Sequence, residues 1–391
     1  MGNSPIAPLD LIAADSLLSP EEREIRSTVR RWLDDNARPH LAKWYEYGDL
    51  PVREIAQGLG QLGVLGMHLE GYGCAGQSAV AYGLACMELE AADSGLRSLV
   101  SVQGSLAMFA LYAFGSDDQR EQWLPNMAAG RAIGCFGLTE ADAGSDPSSM
   151  RTRAVQDGDH WVLNGSKMWI TNGTVADVAI IWAETVDGIR GFVVPTTTPG
   201  FTARPVHHKL SLRASDTAEL AFDDVRLPAD AVLPGVTGLK GPLSCLTEAR
   251  FGIVFGAVGA ARDCLSTAVD YALAREQFGK PIAGFQLTQK KLTDMALEVQ
   301  KSFLLALHLG RLKDSGAITP TMVSIGKLNN VREALDIARE SRTILGGSGI
   351  TTEYPVLRHA ANLESVLTYE GTSEVHTLVI GHALTGLDAF R

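Results

Sequence analysis

The order of residue patterns along the 391-residue chain predicts an α+β protein in three parts, helical, then β, then helical. Three observations carry this. Apolar residues recur at helical spacing through the first third. Short β-branched and aromatic runs between Gly, Asn and Pro fill the middle. Long helical periods then resume. The expected divisions are an N-terminal helical domain over 1–134, a middle β-barrel-like domain over 135–245 and a C-terminal helical bundle over 246–391.

The first helix is signalled by Ser19 as N-cap, Pro20 at the first helical position, and Glu21 and Glu22 in the positive first turn. Ile25, Val29, Trp32 and Leu33 then share one face. "VREIAQGLGQLGVLG" and "SAVAYGLACMELEAADSG" continue in the same style. "SVQGSLAMFALYAFGSDDQREQWLPNMAAG" reads as two more helices, broken at Gly115-Ser116 where an N-cap is available. The character changes near Gly134. "HWVLNGSKMWITNG", "VADVAIIWAET", "GIRGFVVPTTTPGF" and "AELAFDDVRLPADAVL" are strand-length runs bounded by turn residues. After Leu246, "RFGIVFGAVGAARDCLSTAVDYALAREQF", "FQLTQKKLTDMALEVQKSFLLALHLGRLKDSG" and "TPTMVSIGKLNNVREALDIARESRTILGG" are longer than average globular helices, as in a bundle. Thr372-Ser373 can cap a last helix.

Composition narrows the function. Hydrophobic residues are 46% of the chain and charged ones 20%, so a full core can form and disorder is not expected. A net charge of −11 argues against a nucleic-acid partner, whose phosphates are bound by Lys and Arg. An anionic substrate would need local basic residues. Cys74, Cys86, Cys135, Cys245 and Cys264 stand singly, so neither a disulfide framework nor a metal site is expected. No strand–GxGxxG–helix unit appears. The start, "MGNSPIAPLD", has no signal pattern, and Ile6 stands where a myristoylation motif wants Ser or Thr. No uninterrupted apolar run has transmembrane length. A cytoplasmic protein with no membrane partner is the expectation.

Four stretches carry candidate chemistry. "CFGLTEADAGSDPSSM" offers Thr139, Ser145 and backbone N–H groups near Gly144, suited to a polar flat ligand or phosphate, or to an ordinary interdomain loop. "KMWITNG" puts Trp169 and Thr171 on one face of a strand, where they could pack on a planar ring or simply fill a core. The glycines of "LGGSGI" admit close backbone approach or merely end a helix. "LTYEGTSEV" sets Glu370 between an aromatic ring and a glycine, as a capping carboxylate or as a catalytic base.

In this order, with "REQFGKPI" beside them, these stretches resemble the acyl-CoA dehydrogenase family over nearly the whole chain. The resemblance implies a flavoenzyme with non-covalent FAD at a subunit interface, usually in a homotetramer. It implies that Phe136, Leu138, Thr139, Gly144 and Ser145 contact FAD or substrate, and that Trp169, Ile170 and Thr171 lie against the isoalloxazine. Arg275, Phe278, Gln286 and the turn Thr343 to Gly347, with Gly346, would reach FAD from a neighbouring subunit, Arg275 at the pyrophosphate. Thr372 and Glu374 follow toward the cofactor, Glu374 standing where the family commonly has Gln. Glu370 aligns with the base that removes the α-proton of the acyl thioester while the β-hydrogen leaves as hydride. The enolate oxygen would be held by the backbone N–H of Glu370 and a flavin hydroxyl. Gly371 lets the chain turn so that both groups of Glu370 face the substrate. Burial beside the flavin is expected to raise the pKa of the base.

"ELEAADSGLRSLVSVQ", "KLSLRAS" and "TYEGT" resemble the glutaryl-CoA dehydrogenase branch. There Arg97 and Ser98 match the residues that bind the distal carboxylate, and Glu90, Ser101 and Tyr369 shape that end of the pocket. The local alternative is a surface Arg97 paired with Asp93 at a helix end. Glu90 and Tyr369 match the decarboxylating kind, which implies glutaryl-CoA oxidised and decarboxylated to crotonyl-CoA and CO2. Arg250 of "CLTEAR" matches a substrate contact, while Thr247 and Glu248 replace expected Asn residues. Electron-transfer flavoprotein is the implied acceptor. A non-decarboxylating enzyme, one for another short or dicarboxylic acyl-CoA, an acyl-CoA oxidase, and a silent flavin- or CoA-binding scaffold remain alternatives.

Overall fold

The computed structural model describes residues 11–390, so the Met1-Gly2 start and Ile6 lie outside the described residues. The N-terminal part holds α1 (Pro20–Asn36), α2 (Leu41–Tyr47), α3 (Val52–Gln61), α4 (Ala79–Ala92), α5 (Ser94–Ser101), α6 (Phe109–Phe114) and α7 (Asp117–Ala128). Ser19 and Glu22 close a full capping box on α1, and Ser116 with Gln119 does the same on α7. Val29 and Leu33 are buried, and Ile25 and Trp32 pack against the same core. Every residue of α4 is buried, as expected of a helix with apolar residues all round. Between α5 and α6 the chain continues as a π-helix, Val102–Met108. The rod from 94 to 114 is therefore unbroken but changes its winding midway.

The middle part is a curled seven-stranded sheet: β1 (Gly134–Gly137), β2 (Arg153–Asp157), β3 (His160–Thr171), β4 (Val178–Thr185), β5 (Gly188–Pro195), β6 (Phe201–Pro205) and β7 (Thr217–Pro228). Its order is β1-β4-β2-β3-β7-β6, with β5 paired to the other side of β4. β1 is short, wholly buried and parallel to β4. The sequence hides it because its Gly-Cys-Phe-Gly run lacks alternation. The register of β3 against β7 shifts between Lys167 and Ile170, a bulge that carries Trp169 at φ +65°.

The C-terminal part holds α8 (Lys240–Ala274), a small hairpin of β8 (Glu276–Gln277) and β9 (Lys280–Pro281), then α9 (Gln286–Asp314), α10 (Pro320–Leu345), α11 (Val356–Thr368) and α12 (Ser373–Thr385). α8 begins at Lys240 and not at 246, since Pro242 sits in its first turn, where a missing N–H costs nothing. α4 and α8 cross closely: a methyl group on Gly259 would overlap the Met87 carbonyl. The two helical parts thus share one hydrophobic core, and the sheet has its own. The rod from 94 to 114 and α8 are each long enough, and in their most apolar window hydrophobic enough, to span a bilayer, although charged residues interrupt both. Of the most apolar 18-residue window in each, 83% and 67% of the residues are buried within the fold, as in core helices.

Candidate active site

Glu370 lies on the bend between α11 and α12 with φ +53°, followed by Gly371 at φ +97°. A left-handed glutamate is costly unless the surroundings hold it. Two cations do so. Lys327 Nζ of α10 donates to the carbonyls of Tyr369 and Gly371, both at 2.6 Å. Arg250 Nε of α8 donates to the carbonyl of Glu370 at 2.6 Å. Thr372 then caps α12 by accepting from Val375 N at 3.2 Å. A side chain at Gly371 would press on His376, whose Nδ1 is held by Ser324 Oγ at 3.0 Å.

The carboxylate of Glu370 has no such grip. Its Oε2 is buried without a hydrogen-bond partner. Burial pushes its pKa up, against the pull of Arg97, Lys327 and Arg250. Burial likewise brings Lys327 down to about 7, with the Glu370 charge opposing. The site thus holds a desolvated, unpaired carboxylate ringed by cations, which is what a proton acceptor requires.

Asp93 separates α4 from α5 and caps α5 through Gly95 N at 2.7 Å. Glu90 on one side and Arg97 on the other are brought together: Arg97 Nε meets Glu90 Oε2 at 2.9 Å, both side chains fully buried. Arg97 also donates to the Tyr369 hydroxyl, which lies 3.3 Å from Ser98 Oγ. Arg97 is therefore not a surface partner of Asp93; Arg358 takes that place at 3.0 Å. Burial alone would lower the Arg97 pKa, but Glu90, Tyr369 and Glu370 together raise it well above the usual value. Arg97 Nη1, Glu90 Oε1 and Ser101 Oγ are buried without partners. Native interiors rarely leave so many polar atoms unsatisfied in one place. A methyl group on Gly256 of α8 would overlap Glu90, so a glycine is needed there.

A second face lies beyond the sheet. Phe136 and Leu138 are buried at the end of β1, Ile170 is buried in β3, and Thr139 and Thr171 are half-buried. Gly144 and Ser145 are exposed in the following loop, and a side chain at Gly144 would meet open space. Trp169 is 57% exposed on its bulge. The hydroxyls of Thr139, Ser145 and Thr171 have no hydrogen-bond partner among the described residues. A buried pair, Lys167 Nζ on Glu140 Oε1 at 2.8 Å and on Leu138 O at 3.0 Å, fixes this loop to β3. An exposed indole, free hydroxyls and an open glycine loop fit a large flat polar cofactor such as FAD.

Arg275, Phe278, Gln286, Thr343, Gly346 and Gly347 are all exposed, with Phe278 at 95%. They are not joined to the acyl site. Glu374 is exposed on the first turn of α12. Glu248 pairs with Lys313 at 2.7 Å and so turns toward α9, and Thr247 bonds back to Leu243 O at 3.0 Å. Sequence reasoning missed Lys327 and Gly256. A lysine on the apolar face shared by Val323, Asn330, Val331 and Ala334 was the available signal for the first.

Sequence models of the N-terminal, middle and C-terminal domains of acyl-CoA dehydrogenase match residues 19–131, 135–225 and 237–385. The chain is 39% identical to the human mitochondrial short-chain specific acyl-CoA dehydrogenase, over 93% of this chain and 90% of that one. A glutaryl-CoA dehydrogenase structure from Mycobacterium smegmatis is 69% identical, covers 98% of this chain and 100% of its own, and superposes with a TM-score of 0.98. Another from the same organism, in complex with FADH2, is 64% identical over 99% of this chain and 100% of its own, with a TM-score of 0.98. With all three domains matched in order and its relatives aligned nearly end to end, the chain belongs to the acyl-CoA dehydrogenase family and is an acyl-CoA dehydrogenase enzyme.

Proposed function

We propose that the chain dehydrogenates glutaryl-CoA between the α and β carbons with FAD, and decarboxylates the product to crotonyl-CoA and CO2. The carrying observation is Arg97 Nη1, a charged donor buried without a partner. An apolar acyl tail would leave it unsatisfied, at about 1–3 kcal/mol or more. A distal carboxylate would accept from it and from Ser98 or Ser101. The likeness to glutaryl-CoA dehydrogenases at 69% and 64% identity supports the same substrate.

Glu370 takes the α-proton on its unpartnered oxygen. The thioester oxygen accepts from the Glu370 backbone N–H, which donates to no group among the described residues. Loss of the α-proton and of the β-hydrogen as hydride leaves a double bond conjugated to the thioester, and the hydride acceptor would be supplied by bound FAD. Phe136, Leu138, Thr139, Gly144, Ser145, Trp169, Ile170 and Thr171 would hold it on this chain. Thr372 and Glu374, at the start of α12 just after the base, would extend toward the same cofactor. The new double bond joins the γ-carboxylate to the thioester, so the bond to that carboxylate can break with its electron pair held as a dienolate. CO2 leaves, and the proton on Glu370 returns to the γ carbon. Glu90 supports this step: by neutralising Arg97 at 2.9 Å it tempers the grip on the carboxylate that must depart uncharged.

The exposed face of Arg275, Phe278, Gln286, Thr343, Gly346 and Gly347 supports assembly with further copies, a homotetramer in which this face reaches a neighbour's FAD. Electron-transfer flavoprotein is the proposed acceptor. The test is to incubate the purified protein with glutaryl-CoA and an artificial acceptor and weigh the CoA product. Crotonyl-CoA is expected. Glutaconyl-CoA alone would remove decarboxylation, and turnover of butyryl-CoA only would remove the dicarboxylic substrate.

A further inference from the structure

Three successive carbonyls, those of Tyr369, Glu370 and Gly371, are each held by a buried or half-buried cation. Lys327 holds the first and third, both at 2.6 Å, from a side chain only 2% exposed. Neither Lys327 nor Arg250 donates to the Glu370 carboxylate, whose Oε2 stays free. These cations hold the backbone of the bend and leave its acid alone.

The geometry has a consequence for the peptide between Tyr369 and Glu370. No peptide among the described residues is cis. In a trans peptide the C=O and N–H point in opposite directions. With the Tyr369 carbonyl turned to Lys327, the Glu370 N–H must point away from it. That N–H has no partner among the described residues. We propose that Lys327 is a positioning residue, which clamps the bend so that the Glu370 N–H faces the thioester oxygen of the acyl-CoA. The inference rests on the reading of Glu370 as the base. Ser324, one turn earlier on α10, steadies the far side of the same bend through His376. One face of α10 thus sets the geometry of a donor supplied by another segment. Two charge-assisted bonds to neighbouring carbonyls define a plane, which one bond could not.

The test is Lys327→Met in the FAD-loaded enzyme. Acetoacetyl-CoA has an α-proton acidic enough to ionise without being oxidised, and its enolate is followed by absorbance against pH. S-butyl-CoA, a thioether with no carbonyl oxygen, measures binding that does not use the N–H donor. The expected result is unchanged FAD content and S-butyl-CoA affinity. The bound acetoacetyl-CoA should ionise about two pH units higher, and flavin reduction by glutaryl-CoA should slow about 10²-fold with little change in KM, the loss typical of one oxyanion donor. A folded, FAD-loaded variant with unchanged acetoacetyl-CoA ionisation overturns the proposal, even if turnover is slower, because general loosening gives that pattern. If Lys327→Met does not retain FAD, Lys327→Gln is judged by the same titration and the same criteria. A wild-type enzyme that neither ionises acetoacetyl-CoA nor is reduced by any acyl-CoA would instead remove the reading of Glu370 itself.

Discussion

Arg97 is fully buried and Phe278 is 95% exposed, yet each is assigned a ligand-binding part. The acyl end of the site is closed within one chain. Its charges are paired or ringed, and its orphan atoms point to a small anion-bearing guest. The flavin face is open, with an exposed indole, a bare glycine loop and, apart from them, the exposed Phe278. The difference separates two kinds of specificity. As proposed, the acyl pocket would select by desolvated charge, where an error costs much. On the proposed assembly, the flavin face would gain its shape from a neighbour that supplies what this chain leaves open.

The sharpest way to break this contrast is at the base. Glu370→Gln should leave FAD bound and cut flavin reduction by about 10⁴-fold, the upper range for a general base. Stopped-flow bleaching of the flavin measures it, and residual fast reduction would move the base elsewhere. Next is Arg97→Met paired with Glu90→Gln, so that no carboxylate is left buried alone. The preference for glutaryl-CoA over butyryl-CoA should fall about tenfold to a hundredfold, as expected for a charged hydrogen bond. Equal losses on both substrates would return Arg97 to a structural role. On the open side, Phe278→Asp should lower the mass seen by light scattering and weaken FAD retention about thirtyfold, the effect of an interface hot spot of about 2 kcal/mol. Intact assembly would detach Phe278 from the interface.

The smallest effect concerns acid. His68 packs tilted against Tyr82, ring centroids 4.6 Å apart, and neither of its ring nitrogens has a partner. Burial pushes its pKa down to about 4, so it is neutral in the fold. The unfolded value is near 6.5, so below that pH the unfolded chain binds a proton that the fold refuses. Its stabilising contribution is full above about 6.5 and falls by about 1.4 kcal/mol per pH unit down to the folded value. His68→Phe should flatten this slope in urea melts between neutral and acid pH. A parallel slope would place the acid sensitivity elsewhere.

Much of the fold could be read from local chemistry. The capping box at Ser19, the broken helix at Gly115-Ser116 and the long periods of α8, α9 and α10 announce themselves within a few turns. β1 does not, because four residues buried alike have no alternation to show. The site divides in the same way. Glu370 and Arg97 stand out through motifs, but the pairing of Arg97 with Glu90 exists only once Asp93 turns one helix into the next. Lys327 lies in a different helix from the bend it holds, so only tertiary packing gives it a role.

The π-helix at Val102–Met108 has a consequence for how such a chain can change. Residues before it, Arg97, Ser98 and Ser101, lie at the proposed acyl pocket. Inside it, Gln103 ties the rod to the sheet, donating to Met127 O and Ala132 O at 3.1 and 2.8 Å and accepting from Gly134 N at 2.7 Å. A π stretch is in effect one residue inserted into an α-helix. Deleting one residue there would let the turn close to α winding with both ends still in phase. A deletion in the regular turns on either side would instead rotate one end of the rod against the other by about 100°, the angle per residue of an α-helix. The wide turn is the place where the rod can lose a residue while pocket and scaffold keep their register.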